Sequence, residues 1–222
     1  IYPKSDTDLW IGCGMGLFRF DKSRRRFSQV PEAADLIHNF VGVLATDAQG
    51  DLWCGTIDGI FVFRNDRLIT RYNTMGLNGV PLSDNRVTAI CRGRQGEMWV
   101  GTRDGGLNCL VPQGDTYKSI CYIHDRSNPG SISYNDISSI LEDSKGRLWA
   151  GTWGGGLNLL DSAGKFHTYT EEDGLADNVV FSIHEDGEGK LWLSTYNGLS
   201  CLCPETGTFT NYSSYDGTGN DE

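Results

Sequence analysis

The sequence predicts an all-β chain of five successive four-stranded antiparallel sheets, the first of them incomplete, and three observations carry that prediction. Tryptophan returns at positions 10, 53, 99, 149 and 192, with spacings of 43, 46, 50 and 43 residues, which is a repeat period. Around each tryptophan the same pattern recurs, as Asp8-Leu9-Trp10-Ile11-Gly12-Cys13, Asp51-Leu52-Trp53-Cys54-Gly55-Thr56, Glu97-Met98-Trp99-Val100-Gly101-Thr102, Arg147-Leu148-Trp149-Ala150-Gly151-Thr152 and Lys190-Leu191-Trp192-Leu193-Ser194-Thr195. Glycine supplies 29 of the 222 residues without the three-residue period of collagen, and is read as turn chemistry at places where strands reverse.

Each copy reads as a meander. The runs 41–45, 87–91, 137–141 and 179–183 are short, apolar and rich in β-branched residues, the composition of a strand buried on both faces, and they become the innermost strands. A D-x-x-G turn follows. Asp47, Asp143 and Asp186 stand six residues before the tryptophan and Gly50, Gly96, Gly146 and Gly189 three before it, with Gly93 in the aspartate place of the third copy. The first copy has Lys4 and Thr7 there, so its inner strand is expected to be degenerate or cut short. The tryptophan strand then ends in a tight turn at Asp58-Gly59 or Asn197-Gly198, dipeptides suited to the two positive φ angles of a type I′ hairpin. Copies three and four lengthen this turn by one residue, to Arg103-Asp104-Gly105 and Trp153-Gly154-Gly155. A third strand runs over 16–20, 59–63, 106–110, 156–160 and 198–202, and an outer strand ends in an aromatic pair, clearest in Phe166-His167-Thr168-Tyr169 and Phe209-Thr210-Asn211-Tyr212. No segment holds a 3.6-residue apolar period, so helix content is expected to be near nil.

Repeats of this length with four antiparallel strands are the signature of β-propeller blades, and the approximate blades are 1–36, 37–78, 79–128, 129–175 and 176–222. One blade cannot bury both faces; stacked, the repeated Trp and Leu fill the space between blades, each contributing about 1.5–3 kcal/mol. About seven blades, roughly 300 residues, close a ring of this kind. The chain is therefore expected to be most of one propeller from a longer protein, with the tail from Asp216 leading into another blade; five blades closing on themselves is the alternative. An open blade face and unpaired strand edges favour a homodimer or docking against the remaining blades. A net charge of −10 argues against nucleic acid as a partner, and no apolar run approaches the roughly 20 residues of a membrane span, so any membrane link would lie in segments outside this sequence.

The unit N-x-V/I-x-x-I-x-x-D-x-x-G-x-L-W-x-G-T-x-x-G-G-L, followed by F-x-x-Y and D-G-L, resembles the two-component regulator propeller repeat. The match is close over 178–199, after Asp173-Gly174-Leu175, and over 135–157. The segment Tyr122-Ile123-His124-Asp125-Arg126-Ser127-Asn128-Pro129-Gly130-Ser131-Ile132-Ser133 is also similar to a stretch common in hybrid two-component sensors of Bacteroides-type gut bacteria. The resemblance spans nearly the whole chain. It implies a periplasmic sensor of two consecutive propellers, followed by an immunoglobulin-like domain, a transmembrane helix, a histidine kinase and a response-regulator portion. It further implies oligosaccharides as input and transcription of polysaccharide-utilisation genes as output, with no enzyme activity and no cofactor in this region.

The residues themselves offer no catalytic or metal-binding set. His38, His124, His167 and His184 are scattered without metal-ligand spacing, and the glycine clusters at 12–16 and 154–156 open no helix that would hold a phosphate. Seven cysteines, at 13, 54, 91, 109, 121, 201 and 203, show no C-x-x-C pair; Cys109 and Cys201 share a repeat position filled elsewhere by Val62 and Leu159, which favours small buried hydrophobes over a disulfide framework.

Ligand binding is expected where the repeats differ. The turns between second and third strands and the loops entering the inner strands share one end of a propeller, and these turns carry Met15, Asp58, Arg103 with Asp104, Trp153, and Tyr196 with Asn197. Trp153 lies outside the repeated register in a glycine-flanked turn, where an exposed indole stacks on the apolar face of a sugar. Arg103, Asp104, Trp153, Tyr196 and Asn197 are therefore predicted to line one carbohydrate-facing rim. The alternative has Trp153 capping the channel or packing on the next blade. Two other functions remain open: a protein-interaction rim, which a large exposed apolar patch would favour, and a lyase of the streptogramin type, which needs clustered His and Glu with a metal.

Overall fold

A computed structural model describes residues 1–30, 33, 36, 39–76, 78–213 and 216. His38 and the tail from residue 217 lie outside the described residues. Five four-stranded antiparallel meanders follow one another along the chain. The first holds β1 (Tyr2–Pro3), β2 (Asp8–Cys13), β3 (Gly16–Asp21) and β4 (Arg26–Gln29), and the second β5 (Val41–Thr46), β6 (Leu52–Thr56), β7 (Gly59–Arg64) and β8 (Arg67–Tyr72). The third holds β9 (Val87–Arg92), β10 (Met98–Thr102), β11 (Leu107–Gln113) and β12 (Thr116–Tyr122), and the fourth β13 (Ile137–Glu142), β14 (Leu148–Thr152), β15 (Leu157–Leu160) and β16 (Phe166–Tyr169). The fifth is β17 (Val180–Glu185), β18 (Leu191–Thr195), β19 (Gly198–Cys203) and β20 (Thr208–Tyr212). These are β-propeller blades. The incomplete first blade takes concrete form as a two-residue β1, whose Tyr2 and Pro3 pair with Trp10 and Leu9.

By contact the chain forms two compact units, one of Ile1–Thr102 with Asn108–Cys121 and one of Arg103–Leu107 with Tyr122–Glu222. In the first, Trp53, Ile60, Val62, Tyr72, Met98 and Val100 share one core cluster. In the second, Trp149, Leu157, Leu175, Val180, Leu193 and Leu202 share another. The D-G-L segment ahead of the fifth blade is explained by its cap: Asp173 accepts the Thr170 amide at 2.9 Å around a single 3-10 turn, Gly174 takes φ 103°, and Leu175 turns into the core. No helix among the described residues is long and apolar enough to cross a membrane.

Three expectations need correction. The innermost strands are not buried on both faces: β5, β9, β13 and β17 are mixed in burial, whereas the tryptophan strands β6, β10 and β14 are buried throughout. Each inner strand is the edge of its own sheet, so one side lacks a strand to cover it. The hairpins at Asp58-Gly59 and Asn197-Gly198 are not type I′ either, because only Gly59 and Gly198, at φ 98° and 96°, are left-handed. Thr56 pairs with Gly59, which leaves Ile57-Asp58 as the loop, and a β-branched Ile does not adopt positive φ; a single left-handed glycine after the loop does the turning. Both central residues are left-handed instead at Asn65-Asp66, φ 50° and 67°, between β7 and β8.

The third correction concerns glycine. In the Trp-x-Gly-Thr segment it is not turn chemistry. A Cβ on Gly55 would stand 2.4 Å from a Val43 methyl and 2.7 Å from a Val87 methyl, and one on Gly151 would stand 2.8 Å from Val180. The bare backbone lets the inner strand of the following sheet close up.

The aspartates of the D-x-x-G turns do more than close their own turn. Asp47, Asp143 and Asp186 accept backbone amides within the turn, and each also accepts the indole N–H six residues on, from Trp53, Trp149 and Trp192 at 3.0, 2.9 and 2.8 Å. The rings of Trp53 and Trp149, fully buried, and of Trp192, half-buried, thus have their one polar atom satisfied. In the third copy the Glu97 carboxyl takes the aspartate's space, since a Cβ on Gly93 would fall 2.2 Å from its Cδ.

Candidate functional site

Threonine explains how the variable turns are held. Thr195 Oγ1 donates to the Gly198 carbonyl at 3.0 Å and accepts the Asn197 amide at 3.2 Å. Thr152 does the same with Gly156 and Gly155, at 2.9 and 3.0 Å. The base of each turn is fixed from below, by a contact that does not involve the tip side chains.

In the second unit the fixed turns bring most of the expected residues together. The Trp153 amide donates to the Asp136 carbonyl at 2.9 Å, Trp153 forms an isolated antiparallel bridge with Val179, and the Gly154 amide reaches the Asn178 carbonyl at 3.2 Å. The Tyr196 amide donates to the Val179 carbonyl at 3.1 Å. Both turns are therefore pinned to the segments entering β13 and β17, and their side chains converge. The Trp153 and Phe181 rings meet edge to face at 5.1 Å, and Phe181 meets Tyr196 at 6.5 Å. Despite these contacts Trp153 is 51% exposed, Phe181 38% and Tyr196 76%. The two readings of Trp153 are thus not exclusive: one edge packs on the following blade and the rest of the indole faces solvent.

Polar groups flank the rings. Arg103, exposed in the β10–β11 turn, holds its Nε 4.0 Å from Asp136 Oδ2, and the carbonyl of that same Asp136 receives the Trp153 amide. The Arg103 turn is itself anchored by the Gly106 amide on the Asn135 carbonyl at 2.9 Å. Asp104 is exposed beside Arg103 and Asn197 beside Tyr196. The arrangement offers an apolar, solvent-facing patch of mutually inclined rings with a guanidinium, carboxylates and an amide on the neighbouring residues.

Phe181 and Asp136 were missed in the sequence. Phe181 sits in what reads as a buried inner strand, but the β17–β18 register shifts between Val180 and Ser182, and that irregularity turns its ring outward. Asp136 carries no signal of its own beyond lying in the loop before β13.

The remaining chemistry is dispersed. His124 Nδ1 lies 2.9 Å from the Ile132 carbonyl and His167 Nε2 3.2 Å from Asp161, while no group of three or more His, Cys, Asp or Glu among the described residues is placed to hold a metal. All seven cysteines are free. Cys54, Cys109 and Cys201 are buried, and burial, then the charge of Glu97, pushes the Cys109 thiol up to about 12. Cys121 is exposed and does not share that packing role.

Comparison with known proteins agrees with this architecture. Residues 81–104, 131–154 and 174–197 match the two component regulator propeller family, and each matched segment ends on one of the turns just described. The extracellular domain of a hybrid two component system of B. thetaiotaomicron is similar at 26% identity and a TM-score of 0.80, over 96% of this chain and 28% of that one. A second such extracellular domain from the same organism is 21% identical, TM-score 0.56, over 99% and 43% of the two chains. Streptogramin B lyase shares the fold at 20% identity and a TM-score of 0.69, over 96% of this chain and 67% of its own. The chain thus spans well under half the length of the two extracellular domains. No curated protein sequence matches it.

Proposed function

We propose that this run of two component regulator propeller repeats is part of the periplasmic sensor of a hybrid two-component system, and that the turn end of its second unit binds an oligosaccharide. The observation that carries the reading is the exposed chain of rings Trp153, Phe181 and Tyr196, bordered by Arg103 and Asn197. Flat apolar rings stack on the C–H face of a pyranose, and the bordering groups hydrogen-bond its hydroxyls. The module contributes binding, without catalysis. Its partners are the remaining blades and downstream sensor domains, with a homodimer as the form that transmits the signal, and the output is control of polysaccharide-utilisation genes.

The test is a glycan array, then calorimetry, on the complete extracellular region. Trp153→Ala with Arg103→Ala is expected to lower glycan affinity by about thirtyfold, the scale of losing a central aromatic anchor of about 2 kcal/mol. Unchanged affinity would sink the proposal.

A protein-interaction rim is the second reading, and one observation favours it. In the first unit the turns after β2 and β6 and the loop entering β5 are apolar and open, with Met15 69%, Ile57 51% and Phe40 54% exposed. Binding of a polypeptide that is lost on Met15→Ser with Ile57→Ser, and kept on Trp153→Ala, would support it.

A further inference from the structure

Between successive sheets, at the end that carries the D-x-x-G turns, a cleft opens beside the repeated tryptophan, and two such clefts hold a cation of the chain itself. In the first unit, between the first and second sheets, Lys4 stands where other copies have the turn aspartate. Its Nζ lies 4.1 Å from the centre of the Trp10 ring and 2.7 Å from Asp66, in the β7–β8 turn of the next sheet. In the second unit the guanidinium of Arg147, two residues before Trp149, lies 5.7 Å from that ring. Its Nη1 lies 2.9 Å from Glu205, in the β19–β20 turn of the next sheet. The two arrangements share their logic: a cation between the repeated indole and an acid in the last turn of the following sheet.

The cleft beside Trp53, within the first unit, has the same frame and a different filling. It is an open cavity of about 510 Å³. Tyr72 and Tyr117 frame Trp53 at 5.3 Å each, as Tyr169 does Trp149 at 6.0 Å. The acid of the following sheet's last turn is present as Asp115, but the place of Arg147 is taken by Asp51 and that of Lys4 by Asp47. Its lining therefore carries three carboxylates against one cation, Arg64, whose Nε and Nη2 are spent on the two oxygens of Asp51 at 2.8 and 2.6 Å. Arg92 lies nearby, with its Nη1 on the main-chain carbonyl of Asp47 at 3.2 Å. The field of the cleft is negative: burial first, and then the charges of Asp47 and Asp51 among its neighbours, push the Tyr117 hydroxyl up to about 12.

We propose that the cleft lined by Trp53, Tyr72, Tyr117, Asp51 and Asp115 binds an organic cation from outside, a guanidinium on a short apolar stem, in the place that Lys4 and Arg147 occupy in the other two clefts. The stem lies along Tyr117 and Ile69, and the guanidinium faces Asp115 and the shared carboxylates. This site lies in the first unit and does not depend on the sugar-binding reading.

Calorimetry on the full chain at low ionic strength tests it with butylguanidine and its uncharged counterpart butylurea. Butylguanidine is expected to bind at least tenfold more tightly. Asp51→Arg with Arg64→Asp installs the residues that the fourth copy carries at these two repeat positions, Arg147 and Asp161, and fills the cleft, and is expected to reduce that affinity at least tenfold. Asp115→Asn, at an exposed position that leaves the fold intact, is expected to reduce it at least threefold, and it decides the matter if the double variant does not fold. Equal binding of the two compounds, binding of neither, or affinity unchanged by Asp115→Asn overturns the proposal. An acetyl-Gly-Arg-Gly-amide arm distinguishes sources: tighter binding than butylguanidine identifies an arginyl polypeptide, and weaker binding a free guanidinium compound, both under the same site.

Discussion

The two ends of each blade obey different rules. At the end with the D-x-x-G turns one chemistry recurs, a carboxylate under a buried indole. Copies two, four and five supply it from Asp47, Asp143 and Asp186, and copy three places the Glu97 carboxyl in that space from the opposite side of the turn. At the other end the turns share a left-handed glycine and, in copies two, four and five, a threonine base, while the tips run from Ile57 and Asp58 to Trp153 and to Tyr196 with Asn197. Packing dictates the indole–carboxylate pairs of the first end and leaves the turn tips of the second to be chosen by whatever binds there. Substitutions in the pairs are then expected to act on stability and those at the turn tips on glycan binding.

The largest effect belongs to the scaffold tryptophan. Trp149 is fully buried in the second unit's core, so Trp149→Ala is expected to destabilise by about 3–5 kcal/mol in urea unfolding, through lost burial and the cavity left behind. A loss below 1 kcal/mol would show that the repeated ring is not the mainstay of the blade. Next comes a test of the equivalence between copies. Gly93→Asp places a second carboxylate where that of Glu97 already sits and is expected to cost about 1–3 kcal/mol by overpacking and like charge. Adding Glu97→Ala is expected to recover most of it by vacating the space; a double variant no better than the single one breaks the equivalence.

The indole–carboxylate bond has a pH signature. Burial raises the pKa of Asp143, yet the Trp149 indole N–H and the amide and guanidinium of Arg147 outweigh it and hold the carboxyl below its ordinary range. A group depressed in the folded state contributes stability that is present above its unfolded pKa, about 3.9, and lost as pH falls through its folded value. Trp149→Phe keeps the ring and removes the donor, and at pH 7 is expected to cost about 1.5 kcal/mol, the scale of a hydrogen bond to a charged group. The gap to the parent chain should narrow below about pH 4. A gap independent of pH would assign the loss to packing alone.

How far the sequence could be read follows the same division. The repeat made the five sheets legible because the same packing problem is solved five times, so Trp, Gly and Thr recur in step. The glycine of Trp-x-Gly-Thr is legible as part of the tryptophan strand, but the reason for it is not, because that reason is a neighbour distant in sequence, Val87 against Gly55 and Val180 against Gly151. The site was half legible. Trp153 and Tyr196 announced themselves by departing from the repeat, whereas Phe181 was hidden by its place in an apolar run and exposed by a register shift that no residue type marks. Arg147 and Lys4 gave no sign of filling clefts, since each reads as an ordinary surface cation until its tryptophan and its acid are seen in space.

The smallest stability effect is expected at the most conspicuous residue. Trp153→Ala removes a half-exposed ring that meets Phe181 edge to face, a pair worth about 0.5–1.5 kcal/mol in general, while its backbone hydrogen bond to Asp136 survives the substitution. The parent and variant should therefore differ by about 1 kcal/mol or less in urea unfolding, a small fraction of the loss at Trp149. A stability loss approaching that of Trp149→Ala would place Trp153 with the scaffold tryptophans and erase the distinction between the two ends. A small loss, together with weakened glycan binding by the complete extracellular region, would show that one residue type serves two purposes in this chain: buried and hydrogen-bonded to an aspartate where sheets must stack, half-exposed and held by its backbone and one ring edge where a ligand must be met.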